Sequence, residues 1–215
     1  MGHSRRRGGA GKGRWKGKVS RLIDTHTHLA SRQFAADLPE VLRRAREAGV
    51  GAMVVPAVDL SNAREVLAIA EREPDAFAAV GVHPCDVDSL SGDFWVGELR
   101  ELARHPKVVA LGETGLDYFH APPAGFTPEN WRKLQRRALR QHLELAVELG
   151  LPVVLHNRES WEALVAEVAP FHGRVRAQFH CFTGSLDDAR PVLEAGHVVS
   201  FTGIVTFKNP GHMAE

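Results

Sequence analysis

Thiols are scarce in this chain. Its 215 residues include two cysteines, Cys85 and Cys181, far apart and in no C-x-x-C pattern. That excludes a disulfide scaffold and a thiolate zinc knuckle, and it suits a reducing cytoplasm. Both cysteines are read as packed small residues rather than nucleophiles. Long apolar runs are missing too: no stretch approaches the ~18 residues that a membrane-spanning helix needs, so no membrane partner is expected. Acid is absent from residues 1–21, which carry eight Lys/Arg among many glycines. With so few apolar side chains this segment cannot bury a core of its own. No apolar stretch follows its charges, so it is not read as a secretory signal. We expect 1–21 to be a disordered basic extension and 22–215 to be the folded domain. Setting the extension aside leaves 19 basic against 26 acidic residues, a body of about −7 behind the overall +1.

What is present is a regular alternation of apolar strands and amphipathic helices, with 44% hydrophobic and 25% charged residues, as in an ordinary globular protein. Strands are expected at Leu22–Asp24, 51–56, 77–82, 108–112, 153–155, 175–179 and 198–201. Between them the helix signals are local. Asp37 precedes an apolar stripe that stops at Gly49, and Ser61 precedes another. A further helix is expected near 94–104. Thr127-Pro128 opens a long helix ending at Gly150, and another covers 161–168. Ser185 with Asp188 resembles a capping box. Residues 114–127 read as a long loop. Seven buried strands separated by helices specify a parallel α/β fold. An open doubly wound sheet would spread its strand ends along one edge, whereas a (β/α)8 barrel brings them to one mouth.

The polar residues choose the barrel. Of twelve histidines, five (His26, His28, His83, His156, His180) follow the ends of expected strands, and Glu113 takes a sixth such place. A two-metal hydrolytic site needs nitrogen and oxygen donors around two cations, with a carboxylate to bridge them. Glu113 is placed to bridge, His26 and His28 to hold one ion, and His156 and His180 the other. Imidazole and carboxylate without thiolate suit Zn²⁺ or Mn²⁺ and tolerate Mg²⁺. The remaining histidines, His120 and His142 among them, read as structural.

These residues fall in motifs. Asp24-Thr-His-Thr-His28, Gly81-Val-His-Pro84, Gly112-Glu-Thr-Gly-Leu-Asp117, His156-Asn-Arg158 and His180-Cys-Phe-Thr-Gly184 together resemble the TatD-type metal-dependent hydrolases, in order, from about Leu22 to Gly203. The resemblance implies an amidohydrolase-like barrel, two divalent metal ions and nuclease action on DNA, with RNA as an alternative substrate. It implies His26, His28, Glu113, His156 and His180 as metal ligands and His83 as a catalytic residue facing substrate. Arg158 shares the face of His156, where a planar guanidinium is shaped to clamp a phosphate oxygen. Asp117 is expected to order the loop after Glu113 rather than to touch metal. The family pattern ends its eighth strand in Thr-Asp, which is not found here. The chain is therefore read as truncated, with the last β/α unit missing.

Three functions compete. The leading one is a metal-dependent deoxyribonuclease, for which the resemblance alone implies trimming from 3′ ends. The second is an amidohydrolase-like deacylase or esterase, disfavoured because many relatives of that class bridge their metals with a modified lysine where this chain has Glu113. The third is a catalytically impaired remnant that binds nucleic acid or a partner, with any sequence-independent affinity for nucleic acid residing in residues 1–21. Oligomeric state is left open, although an unclosed barrel edge favours association.

Overall fold

The computed structural model describes residues 22–90 and 92–209, so the expected basic extension lies outside the described residues. Among the described residues seven strands form one parallel sheet: β1 Leu22–Asp24, β2 Val50–Pro56, β3 Ala76–Val80, β4 Val108–Asp117, β5 Val153–Arg158, β6 Ala177–Phe179 and β7 Val198–Val199. Their order in space is their order in sequence. A doubly wound sheet reverses direction at a switch point; this one never does, as barrel winding requires. Among the same described residues six helices occupy the crossovers: α1 Leu38–Glu47, α2 Leu60–Arg72, α3 Phe94–Ala103, α4 Pro128–Leu149, α5 Trp161–Val168 and α6 Leu186–Glu194. The chain thus builds a curled (β/α)8-type sheet of seven strands, with β1 and β7 as its edges. The curl carries the end of β1 round to β6, where Gln178 Nε2 donates to Thr25 Oγ1 at 2.6 Å.

The core explains the apolar runs. Val55, Val80, Leu111 and Leu155 from the strands are fully buried, and so are Val66, Leu99, Leu139 and Leu164 from the helix faces above them. Each such side chain contributes about 1.5–3 kcal/mol relative to exposure.

Local signals place most helix ends. Thr127 accepts from Asn130 N, Pro128 opens α4, and Gly150 closes it at φ +66°. Ser185 and Asp188 form both halves of a capping box. Two expectations are corrected. The cap of α2 is Asp59, whose carboxylate accepts from Asn62 N at 2.7 Å, and Ser61 sits inside the first turn. Asp37 precedes α1 but makes no side-chain capping bond.

The strand ends also shift. β3 stops at Val80, and His83 caps a turn of 3-10 helix over Pro84–Ser89. β4 runs to Asp117 through what reads as loop, because Gly115 lets it lie against β5. A Cβ there would meet His156 O at 2.1 Å, and φ is +146°. Pairing of β4 with β5 slips between Leu111 and Thr114. Such an irregularity re-aims a side chain, and it falls where Glu113 enters the barrel mouth.

Candidate metal centre

Glu113 is the hub. It is 2% exposed, inside β4 rather than at its end, and its two oxygens face different histidines. Oε2 lies 3.1 Å from His26 Nε2 and 3.6 Å from His28 Nε2, and those two nitrogens are 3.1 Å apart. Regular strand pairing ends at Asp24, yet both histidines still converge here. Asp24 helps by accepting from His26 N at 3.1 Å, which turns the chain over the mouth. Oε1 lies 2.9 Å from His156 Nδ1.

The other ring nitrogens decide what these atoms can do. His156 Nε2 is 3.0 Å from Asp117 Oδ2 and donates to it, which leaves the Nδ1 lone pair facing Glu113 Oε1. Two acceptors 2.9 Å apart call for a cation between them, a proton or a metal. The carboxylates accordingly raise the pKa of His156 to about 9 against the opposing effect of burial. Burial would push the Glu113 carboxyl up, but hydrogen bonds from His156 and His26 hold it well below the usual carboxylate range. Burial and neighbouring imidazoles press His180 down to about 3 and His28 below its ordinary value.

His83 differs from the rest. Its Nδ1 accepts from Cys85 N at 3.2 Å, so the ring proton belongs on Nε2. That nitrogen stands 3.1 Å from His156 Nδ1 and 3.9 Å from Glu113 Oε1, a donor pointed at the centre.

His180 does not pair with His156. Its ring stacks on His26, with centroids 3.4 Å apart and planes within 11°. Its Nδ1 is buried with no hydrogen-bond partner among the described residues, as is that of His26. Among the described residues His180 enters no group of converging donors, while imidazole and carboxylate, as His26, His28 and His156 present them to Glu113, are a donor set that fits divalent metal. Arg158, at the end of β5, is exposed and stands over the Phe119 ring, its Cζ 3.9 Å from the centroid. It makes no ion pair among the described residues.

Asp117 does more than its sequence position suggests. Oδ1 accepts from Phe119 N and His120 N, which orders the loop, while Oδ2 accepts from His156. Cys85 stands nearby. Burial first, then the Asp117 and Asp86 carboxylates, push its thiol up to about 12, so it is no nucleophile.

Residues 23–215 match the family model described as TatD related DNase. The chain belongs to the TatD-related DNase family. It is 37% identical over 198 residues to an uncharacterized metal-dependent hydrolase, YabD of Bacillus subtilis, covering 87% of this chain and 71% of that one. It is 35% identical over 193 residues to a protein of Erwinia tasmaniensis named 3′-5′ ssDNA/RNA exonuclease TatD, covering 88% and 71% respectively. The crystal structure of YjjV, a TatD homologue from Escherichia coli, superposes with a TM-score of 0.77 at 34% identity, over 87% of this chain and 70% of that one. A phosphotriesterase homology protein from Escherichia coli, at 15% identity and a TM-score of 0.60, shares the fold. The TatD-related membership makes this chain a metal-dependent hydrolase, with clusters of His26, His28 and Glu113 and of His83, Glu113 and His156 as candidate metal-binding groups. Among the described residues no helix is long and apolar enough to cross a membrane.

Proposed function

We propose that this chain is a divalent-metal-dependent phosphodiesterase that removes nucleotides from the 3′ ends of single-stranded DNA, with RNA as a second substrate. The observation that carries this reading is Glu113, whose two oxygens each face a different group of histidines. Such an arrangement suits two cations of the Mg²⁺, Mn²⁺ or Zn²⁺ class, with His26, His28 and His180 on one side and His156 on the other. When bound, a metal pair lowers the pKa of water and offsets charge on a phosphoryl group.

The chain's own residues do the rest. Asp117 fixes the tautomer of His156 and so keeps the Nδ1 lone pair aimed inward. His83 presents an Nε2 proton to the mouth, where a non-bridging phosphate oxygen can accept it. Arg158 has guanidinium edges free of carboxylate and is shaped to hold a second phosphate oxygen bidentately. A hollow of about 660 Å³ beside His26 and His28, reaching Gln33, Phe34 and Asn62, gives a strand room to approach. We place the activity in the reducing cytoplasm, which two unpaired cysteines favour.

The test is nucleotide release from 5′-labelled single-stranded DNA by the 215-residue chain with Mg²⁺ or Mn²⁺. Stepwise shortening from the 3′ end is expected, and it should stop in EDTA. His156→Ala or Glu113→Gln should lower it at least about 100-fold. Activity indifferent to EDTA or to His156→Ala would overturn the reading. Hydrolysis of acyl esters without any of DNA would favour a deacylase instead.

A further inference from the structure

A second cluster of donors lies on the outer side of Asp117. His120 Nδ1 is 2.9 Å from Asp117 Oδ2 and 3.7 Å from Cys85 Sγ, and the three ligand atoms lie within 4.8 Å of one another. None of them belongs to the group around Glu113, although Asp117 Oδ2 also accepts from His156. We propose that Cys85, Asp117 and His120 bind one soft divalent cation of the zinc class, with three protein donors and an open fourth position.

Four observations converge on this site. The donor set is thiol, imidazole and carboxylate, the combination that selects zinc-class ions over magnesium. Binding displaces the Cys85 thiol proton to solvent, and the resulting thiolate with the Asp117 carboxylate and a neutral imidazole balances a dication. Spacing agrees as well. Ligands at about 2.3 Å (sulfur) and about 2.1 Å (nitrogen) in a tetrahedron stand about 3.6 Å apart, against the 3.7 Å between Sγ and Nδ1. The His120–Asp117 contact has to open by about half an ångström to take up the same geometry.

Finally, the frame is rigid where it must be and open where an ion enters. The Asp117 side chain is 0% exposed and its Oδ1 is held by two backbone N–H groups, whereas that of His120 is 51% exposed on the loop after β4. Cys85 is set by the 3-10 turn that His83 caps. The inference goes beyond the phosphodiesterase reading and does not depend on it.

The test is a cobalt(II) titration of the full 215-residue chain after chelator stripping, followed in the near ultraviolet. Thiolate-to-cobalt charge transfer marks sulfur ligation, and the imidazole and carboxylate groups around Glu113 cannot produce it. The band is expected in the wild type, absent in Cys85→Ser and retained in Cys181→Ser. His120→Ala should move its midpoint to at least about tenfold higher cobalt, as loss of even an outer partner does. Metal analysis should find one ion fewer in Cys85→Ser, whose circular dichroism reports that the fold is kept. A wild type without the band at saturating cobalt, or a band that survives in Cys85→Ser, would overturn the proposal. Sulfur ligation in a chain that hydrolyses no DNA would leave it standing while sinking the nuclease reading.

Discussion

At the scale of single residues, the candidate metal centre is organised by what each ring nitrogen already does. Asp117 takes the outer proton of His156 and Cys85 N takes the outer lone pair of His83, so a pair of similar side chains presents a lone pair from one and an N–H from the other to the centre. Asp117→Asn should let the His156 tautomer relax and cost about 10–100-fold in kcat and in metal affinity, with little change in KM for DNA. A variant that loses only KM would show Asp117 to be a mere loop anchor. Arg158→Ala should do the opposite, raising KM several-fold with kcat nearly kept, and Arg158→Lys should rescue it poorly because a point charge replaces a planar fork.

The histidines were legible in the sequence because polar residues following buried apolar runs have few structural reasons to be there. His180 was expected beside His156, but its ring stacks on His26, a contact between the chain after β6 and the chain after β1 that no local pattern encodes. The cluster of Cys85 and His120 was not legible at all. The two are 35 positions apart, and only the 3-10 turn after β3 and the loop after β4 bring them together.

At the scale of elements, helix boundaries were readable wherever a capping side chain and a stop residue agreed, as in α4. They slipped where two candidates competed: Asp59 and Ser61 both suit a cap, and Asp59 prevailed because its carboxylate reaches Asn62 N. The end of β4 was hidden by its glycines, which look like loop but serve close strand contact. Glycine at 115 has no substitute, since even alanine would drive a Cβ into the backbone of β5.

Helix α4 contributes a buried histidine with a different consequence. His142 Nε2 accepts from Val82 N, and burial lowers its pKa to about 4. Between its ordinary value of about 6.5 and about 4, the unfolded chain takes up a proton that the native state refuses. Stability from this group is therefore complete above pH 6.5 and is lost as pH falls to about 4, an effect on the order of 3 kcal/mol. Urea denaturation of metal-free protein from about pH 7.5 to pH 4.5 should show the decline, less steep in His142→Gln. Equal slopes in both proteins would rule out this role for His142.

At the scale of the whole molecule, the seven-stranded order was foreseeable from the repeat of strand and helix, whereas the state of the seam between β1 and β7 was not. Among the described residues no strand pairs with the outer edge of either. Leu22, Ile23 and Phe201 are 56%, 63% and 58% exposed there, beside a groove of about 470 Å³. Unpaired edges flanked by apolar side chains invite pairing with another chain. Sedimentation velocity should show association that grows with concentration and is suppressed in an Ile23→Lys, Phe201→Lys double variant. A chain that stays monomeric at all concentrations would argue that the seam is covered.

The tie from Gln178 to Thr25 carries a kinetic meaning. β1 has only three residues and, among the described residues, a single strand neighbour, so its opening need not await global unfolding. The Thr25 hydroxyl is the rivet one residue upstream of His26. With Gln178→Leu, amide deuterium uptake over residues 24–28 should quicken while β4 and β5 exchange at their former rates. The centre around Glu113 would then have a fixed wall and a hinged one, and the lifetime of the assembled site would be set by the hinged wall.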